Sequence, residues 1–472
     1  MNKPLPANAR RPARPFFADE LLHALPGARH APDPATAAGM AASGLRARST
    51  GDGAGLAELD PCATARLACV FNVDVRAANA ARFEAVRLRA RSLQELADLN
   101  LIAHRIAETA LVPVLVERDF ALDNSRTASV HVPDDAAVAD YLGAPDEQIE
   151  SPTAAQRILF GPSRRRLPAL WSTEQPLNAL AGLADAPIAW SAGQEPFFLR
   201  RAEDIADTAF ERFFEHTGRR YQRLIPFHAK DADVLLVASG KAAAAARAAV
   251  RHMREGGWLA RPRIKVGLLE VVLAAPFPAR EMAQHARRCN AVAVPHPMAG
   301  AGPNLAQPVA AALFECLNAP PRKRGLRPRA QTAPLLHTLA HAGAETEPHP
   351  EAIVEAVERV STEPAPVSLT LGAAFACRPA RDASEEVVQG EVLEADPELA
   401  ARGVAPEAAI DTLPKDGFAA TLYTDADTGA ATTWMLADVA GLEVSGRAGT
   451  KDGAPYTLAA APEADALDPA FA

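Results

Sequence analysis

The stretch "DADVLLVASGKAAAAARAAVRHMREGG", residues 231–257, decides the fold. Its apolar run 233–238 has the length and β-branched content of a buried strand. Ser239-Gly240 breaks the run. An alanine-rich helix is expected over 241–254, stopped by Gly256-Gly257. Outward from there the pattern repeats. Residues 266–273 read as a second apolar strand, 279–288 as a helix and 291–294 as a third strand. Upstream, 204–217 reads as a helix that ends at Gly218. Strands alternating with helices in this order imply a parallel sheet with right-handed crossovers. In such a sheet the turn at Ser239 and Gly240 sets backbone N–H groups and a helix N-terminus at the sheet edge, where an anion or cofactor can be held. These two residues are therefore candidate binding residues, and a plain helix cap is the alternative reading.

A second α/β passage lies at 92–118. Ser92 and Glu95 form a capping box, and Leu96, Leu99, Ala103 and Ile106 line one helical face. The apolar run 113–116 then predicts a buried strand ending at Glu117-Arg118-Asp119. Ligands of open α/β sheets sit at the carboxyl ends of strands, so Asp119 is a weak candidate for cofactor contact. Residues 145–200 are proline-rich. Within them Arg164, Arg165 and Arg166 form a run that could clamp an anion or the carboxylates of a partner, and an interdomain salt-bridge loop is the alternative reading.

The remaining segments are less regular. Residues 1–60 are rich in Pro, Ala and Gly and are expected to be poorly ordered, with helical periodicity only at 16–25. Residues 317–331 read as a basic linker and 350–360 as helical. From 367 onward β-branched runs, acids and turn signals at 427–429 and 451–453 suggest a small β-rich part. The expected organisation is a poorly ordered region (1–60), a truncated first α/β domain with its crossover (61–200), a parallel α/β domain (201–330), a helical connector (331–366) and an acidic β-rich extension (367–472).

Composition narrows the function. The chain has 472 residues, 49% hydrophobic and 23% charged, a globular composition. It has no run of about 18 uncharged apolar residues, so no membrane span is expected. The basic N-terminus lacks an apolar core, so no secretory signal is expected and the cytoplasm is the expected location. Five scattered cysteines, with no C-x-x-C pair, argue against a disulfide framework, a zinc site or an iron–sulfur cluster on this chain. The net charge of −9 is uneven, and the acidic residues concentrate after residue 382. Aromatics are only 5% and are not interleaved with the basic residues, so nucleic acid is not an expected partner.

Two further patterns were weighed as metal motifs. Gly51-Asp52-Gly53 with Asn79 has nearly the spacing by which thiamine-diphosphate enzymes hold magnesium, but no buried apolar strand precedes it. His337 and His341 are spaced i, i+4 without an intervening acid, so packing or surface histidines are expected rather than metal ligands.

Four stretches carry a resemblance. They are "LADLNLIAHRIAETALVPVLVERDF" (96–120), "YLGAPDEQIESPTAAQRILFGPSRRRLPALW" (141–171), and 210–257 with "KVGLLEVVLAAPFP" (265–278) and "CNAVAVPHP" (289–297). The fourth, "VSLTLGAAFA" (367–376) with 409–439, is the weakest. In this order they resemble the first and second domains of the pyruvate:ferredoxin (flavodoxin) oxidoreductases and related 2-oxoacid:acceptor oxidoreductases. The resemblance implies a thiamine-diphosphate-enzyme-like first domain, truncated here, and a transketolase C-terminal-like second domain.

The resemblance also implies what is missing. The family's Tyr-Pro-Ile-Thr-Pro stretch and its downstream Glu have no counterpart here. Of Tyr-Arg-Pro-Phe only Pro276-Phe277 remains, and Pro295 to Gly300 replaces a charged segment. The resemblance thus implies a component that is not self-sufficient, with no catalytic residue assigned to this chain. Thiamine diphosphate, magnesium and iron–sulfur clusters would sit on partner subunits of a homo- or hetero-oligomer. The alternative is a pseudo-enzyme scaffold or regulatory subunit.

Overall fold

The computed structural model describes residues 14–51, 66–74, 85–118, 128–169, 197–255, 264–297, 305–318, 333–341, 348–371, 383–395, 403–404, 419–423, 442–446 and 455–460. The chain divides into two compact units, residues 1–223 with 273–276 and 413–472, and residues 224–272 with 277–412.

The first unit opens with β1 (Arg14–Phe16), α1 (Ala18–Ala24), β2 (Arg29–Ala31), α2 (Pro34–Ala42) and β3 (Ala47–Gly51). For residues 14–51 this corrects the expectation that the region 1–60 is poorly ordered. The low-complexity composition conceals a close-packed layer. Asp33 caps α2 by accepting from the Thr36 N–H at 2.7 Å, and Pro34 occupies the first turn, where its missing N–H costs nothing. Ala37, Ala41 and Ala42 then pack against Ala47, Phe71, Val73 and Leu115. Small side chains are what let a helix lie this close to a sheet.

β4 (Val70–Asp74), β5 (Val86–Ala90), α3 (Leu93–Ala110) and β6 (Val114–Arg118) follow. The sheet order is Leu273–Ala275, β5, β6, β4, β3, β2, with the short first strand antiparallel to β5 and the rest parallel. Ser92 caps α3 by accepting from the Glu95 N–H at 3.2 Å. Glu95 does not close the reciprocal half of the box; it accepts from the N–H of Arg91 at 2.9 Å and from its guanidinium at 2.7 Å. Leu96, Leu99, Ala103 and Ile106 are fully buried. Beyond the sheet lie β7 (Ala128–Val130), paired antiparallel with β1, and α4 (Asp135–Leu142). β8 (Gln148–Glu150) and β9 (Ser163–Arg165) form an antiparallel pair flanking α5 (Ala154–Phe160), and α6 (Ala202–Thr217) follows. Three strands, Ala419–Tyr423, Pro455–Ala460 and Leu442–Gly446, form a separate antiparallel sheet in that order. The turns predicted at 427–429 and 451–453 lie outside the described residues.

The second unit holds β10 (Leu224–Phe227), β11 (Val234–Ala238), α7 (Gly240–Glu255), β12 (Val266–Val271), α8 (Ala279–Ala286) and β13 (Ala291–Pro297). It continues through α9 (Ala306–Asn318), β14 (Leu335–His341), α10 (Pro350–Val360), β15 (Ser368–Leu371), α11 (Ala383–Ala395) and β16 (Gly403–Val404). The strands lie in the order β10, β12, β11, β13, β14, β15, β16; β10 is antiparallel and the rest are parallel. The α/β reading with a parallel sheet therefore holds.

The structure also corrects the helical connector at 331–366. Residues 335–341 are an internal strand of this sheet, and 368–371 continue it rather than opening an extension. The strand was hidden because it carries two histidines, His337 and His341, both buried. Val234, Leu236 and Ala238 share one core with Ala246, Val250, Ile353 and Val357 from α7 and α10. Leu235, Val237, Val292 and Val294 alternate to the other face and are equally buried. A buried strand with both faces covered reads as a continuous apolar run.

Gly267 on β12 marks a close approach. A Cβ there would lie 2.7 Å from the His228 carbonyl oxygen and 2.9 Å from Ala229 Cα. Backbone cannot swing aside as a side chain can, so Gly267→Ala is expected to cost about 1–3 kcal/mol. A urea titration checks this, and an unchanged midpoint would refute it.

Candidate functional site

In the second unit the connections leave β11 toward β12 and then return past β11 to β13. The strand ends flanking that reversal are where parallel sheets bind ligands. β11 enters Ser239, which is half-buried, and then Gly240, the buried first residue of α7. Gly240 has φ +57°, a left-handed conformation that suits glycine. The Ser239 carbonyl accepts from the Ala243 N–H at 3.3 Å, which closes the first turn of α7 at the sheet edge. On the neighbouring strands β13 ends at His296-Pro297 and β14 at His341, with Pro297 opposite His341 in register. The structure thus brings Ser239 and Gly240 to the same strand-end edge as two imidazoles. The final residues of these strands are Ala238, Val271, Pro297, His341 and Leu371, none of them acidic. Such an edge offers hydrogen-bond donors to an anion. One residue back on β12, Glu270, the register partner of Ala238, is buried and accepts from Arg247 of α7 at 2.5 Å.

In the first unit the strand ends are charged, and the charges are spoken for. Asp74 and Arg118 are register partners on β4 and β6, and Arg118 donates to Asp19 of α1 at 3.1 Å. Glu117 is buried and accepts from Arg89 at 2.7 Å, with Arg87 at 3.6 Å. Asp119 follows β6 directly but lies outside the described residues, as do Asp52, Gly53 and Asn79.

The three arginines are not an anion clamp. Arg164 is fully buried. It donates to the Gln156 side chain at 2.8 Å and to the carbonyls of Arg166 and Glu108 at 2.6 Å each. Burial pushes its pKa down to about 9. Arg166 is held by Glu147 at 2.7 Å. Arg165 is half-buried and has interactions of its own within the chain. The run fastens β9 to α3 because a guanidinium carries enough donors to satisfy several buried carbonyls at once.

The residues present do not fit the groups that the resemblance implies for the complex. Among the described residues no three His, Cys, Asp or Glu side chains are grouped to hold a metal ion. Cys69 and Cys289 are both buried, and they belong to different units. Burial, then the charge of Asp233, pushes the Cys289 thiol up to about 11, away from the thiolate that a cluster requires. His337 and His341 lie on a strand rather than a helix. His337 Nδ1 accepts from the Val367 N–H at 3.2 Å.

The reading of the sequence missed a buried polar layer in the first unit, built from Arg46 just before β3, Arg48 of β3, Asn72 of β4, and Asn100, His104 and Glu108 of α3. Its only signal was the i, i+4 spacing of the last three. On an amphipathic helix that spacing reads as a solvated face.

Comparison with known proteins agrees with the second unit. Residues 232–322 match the family model described as pyruvate:ferredoxin oxidoreductase core domain II. The chain is 27% identical over 206 residues to pyruvate synthase subunit PorA of Pyrococcus furiosus, covering 43% of this chain and 46% of that protein. It is 25% identical over 212 residues to the subunit of the same name from Methanothermobacter thermautotrophicus, covering 44% and 48%. The matches thus span about half the length of these curated relatives. Among solved structures, a 2-oxoglutarate:ferredoxin oxidoreductase from Magnetococcus marinus superposes with a TM-score of 0.41 at 15% identity, covering 70% of this chain and 55% of that one. In its sequence, centred on the α/β unit that begins near residue 232, the chain resembles the pyruvate:ferredoxin oxidoreductases and related 2-oxoacid:acceptor oxidoreductases.

Proposed function

We propose that this chain is a component of a multi-subunit 2-oxoacid:acceptor oxidoreductase of the cytoplasm, one that oxidatively decarboxylates a 2-oxoacid such as pyruvate. The match of residues 232–322 to the family's second core domain carries this reading. The chain is not self-sufficient in it. Partner subunits supply thiamine diphosphate, magnesium and the iron–sulfur clusters. This chain supplies the parallel-sheet unit, with the anion-accepting turn at Ser239 and Gly240, and helps to enclose the active site.

A second reading, a pseudo-enzyme scaffold, is favoured by one observation. The carboxylates Asp19, Glu117 and Glu270 near the strand ends of the two units are each held by an arginine. One experiment separates the two. The complex is purified from its native host with and without this chain, and 2-oxoacid-dependent reduction of a viologen dye is measured. Loss of activity on omission is the expected result. Full activity without the chain would sink the first reading and leave the scaffold.

A further inference from the structure

The buried polar layer of the first unit is built in rungs. α3 runs antiparallel to β3 and β4, and Asn100, His104 and Glu108 lie one turn apart on the side facing them. Near the carboxyl end of the strands, Asn100 and Asn72 exchange two hydrogen bonds of 2.8 and 3.0 Å. Near the amino end, Glu108 takes Arg46 in a two-pronged pair, Nη2 to Oε2 at 2.8 Å and Nε to Oε1. The middle rung follows from these two. Arg48 on β3 is two residues on from Arg46, which immediately precedes that strand, and His104 is one turn along α3 from Glu108. They therefore stand opposite each other, and the charge of Arg48 acts on His104.

This middle rung is incomplete. Arg48 and His104 are both fully buried. Arg48 donates Nε to the Leu22 carbonyl at 3.1 Å and Nη2 to the Leu25 carbonyl, both at the end of α1. Its Nη1 has no partner, and neither ring nitrogen of His104 has one. Burial, and then the charges of Arg48 and Arg46, hold His104 well below its usual pKa, so the ring is neutral with one N–H to donate.

The charge balance is also incomplete. Arg46 and Arg164 both bond to Glu108, and the third buried guanidinium, Arg48, bonds to no carboxylate. Arg46 occupies both oxygens of Glu108, whereas Arg164 bonds to the Glu108 backbone and Arg48 meets only carbonyls. A buried charge without a counter-charge is costly. Idle donors beside an excess of positive charge are what a small anion needs. A water molecule would satisfy the donors and leave the charge.

We propose that this layer binds one small monovalent inorganic anion of the halide class, held between Arg48 Nη1 and the ring N–H of His104. The site is interior, so the anion enters as the unit folds and appears as a stability effect. Thermal unfolding of the purified full chain is measured in sodium chloride and in sodium gluconate at matched ionic strength. The expected result is a saturable rise in Tm of about 2–4 °C in chloride. Arg48→Met keeps the apolar stem and removes the charge, so it is expected to lose the chloride dependence and keep the fold. Crystals of the unaltered chain grown in sodium bromide give an independent measure that does not rely on the variant. An anomalous peak between Arg48 Nη1 and His104 supports the proposal. Equal Tm in the two salts, with no anomalous peak at that position, overturns it.

Discussion

Glu108→Ala is expected to destabilise the first unit by about 3–5 kcal/mol, the cost of breaking a buried ion pair from one side. Glu108 is 1% exposed, and both of its carboxylate oxygens accept from Arg46. Removing it leaves Arg46 with two carbonyls as acceptors, Gly27 at 3.4 Å and Gly143 at 3.0 Å, and no carboxylate bonded to it. Arg48 and Arg164 would then add to an uncompensated cluster. Glu108→Gln retains the acceptor and loses the charge, so it should fall between the wild type and Ala. Urea titration of both variants by circular dichroism checks the order. Equal stability of Gln and wild type would show that the charge of Glu108 is unimportant and that its shape alone matters.

The second large effect is expected at Asp98. It is fully buried on α3 and is the meeting point of four donors. Arg219 contributes two hydrogen bonds of 2.6 and 2.8 Å, the Tyr221 hydroxyl one of 2.8 Å and the Gln94 amide one of 3.1 Å. Burial, and then the charge of Asp98, hold the Tyr221 phenol well above its usual pKa, so it remains a donor. Asp98→Ala strands all of these donors at once and is expected to cost about 3–5 kcal/mol. Adding Arg219→Met to that variant removes the stranded charge and should recover part of the loss, a non-additive result that a double-mutant cycle reads directly. Additive losses would mean that Asp98 and Arg219 do not act as a pair. Asp98 and Arg219 are 121 residues apart, so this pair fastens the segment after α6 to α3.

Both residues show where reading the sequence stops. The stripe Leu96, Leu99, Ala103 and Ile106 was legible because apolar side chains at helical spacing have one use, burial. Asp98, Asn100, His104 and Glu108 lie on the same helix and are buried too, yet nothing local distinguishes them from a solvated face. Their partners Arg46, Asn72 and Arg219 come from distant segments, and periodicity does not register such pairs. The three arginines at 164–166 show the reverse error. A basic run invited a partner, and the fold turned Arg164 inward, where its N–H donors serve the Gln156 side chain, the carbonyls of its own segment and those at the end of α3. The candidate turn at Ser239 and Gly240 was legible because a strand, a glycine and a helix in sequence specify its geometry locally. The place of His296 and His341 along the same edge was not, since it depends on the pairing of β13 with β14.

By itself the sequence determined the alternation of apolar strands and helices from 92 to 118 and from 204 to 297, and with it the α/β class, because apolar periodicity reflects local backbone geometry. Tertiary structure alone decided the rest. It recruited the alanine-rich residues 14–51 and the histidine-bearing strand 335–341 into sheets, since small or polar residues join a core only when neighbours cover them. It also decided which charges are interior, because a buried ion pair is set by two chain segments meeting and by the desolvation that their meeting imposes.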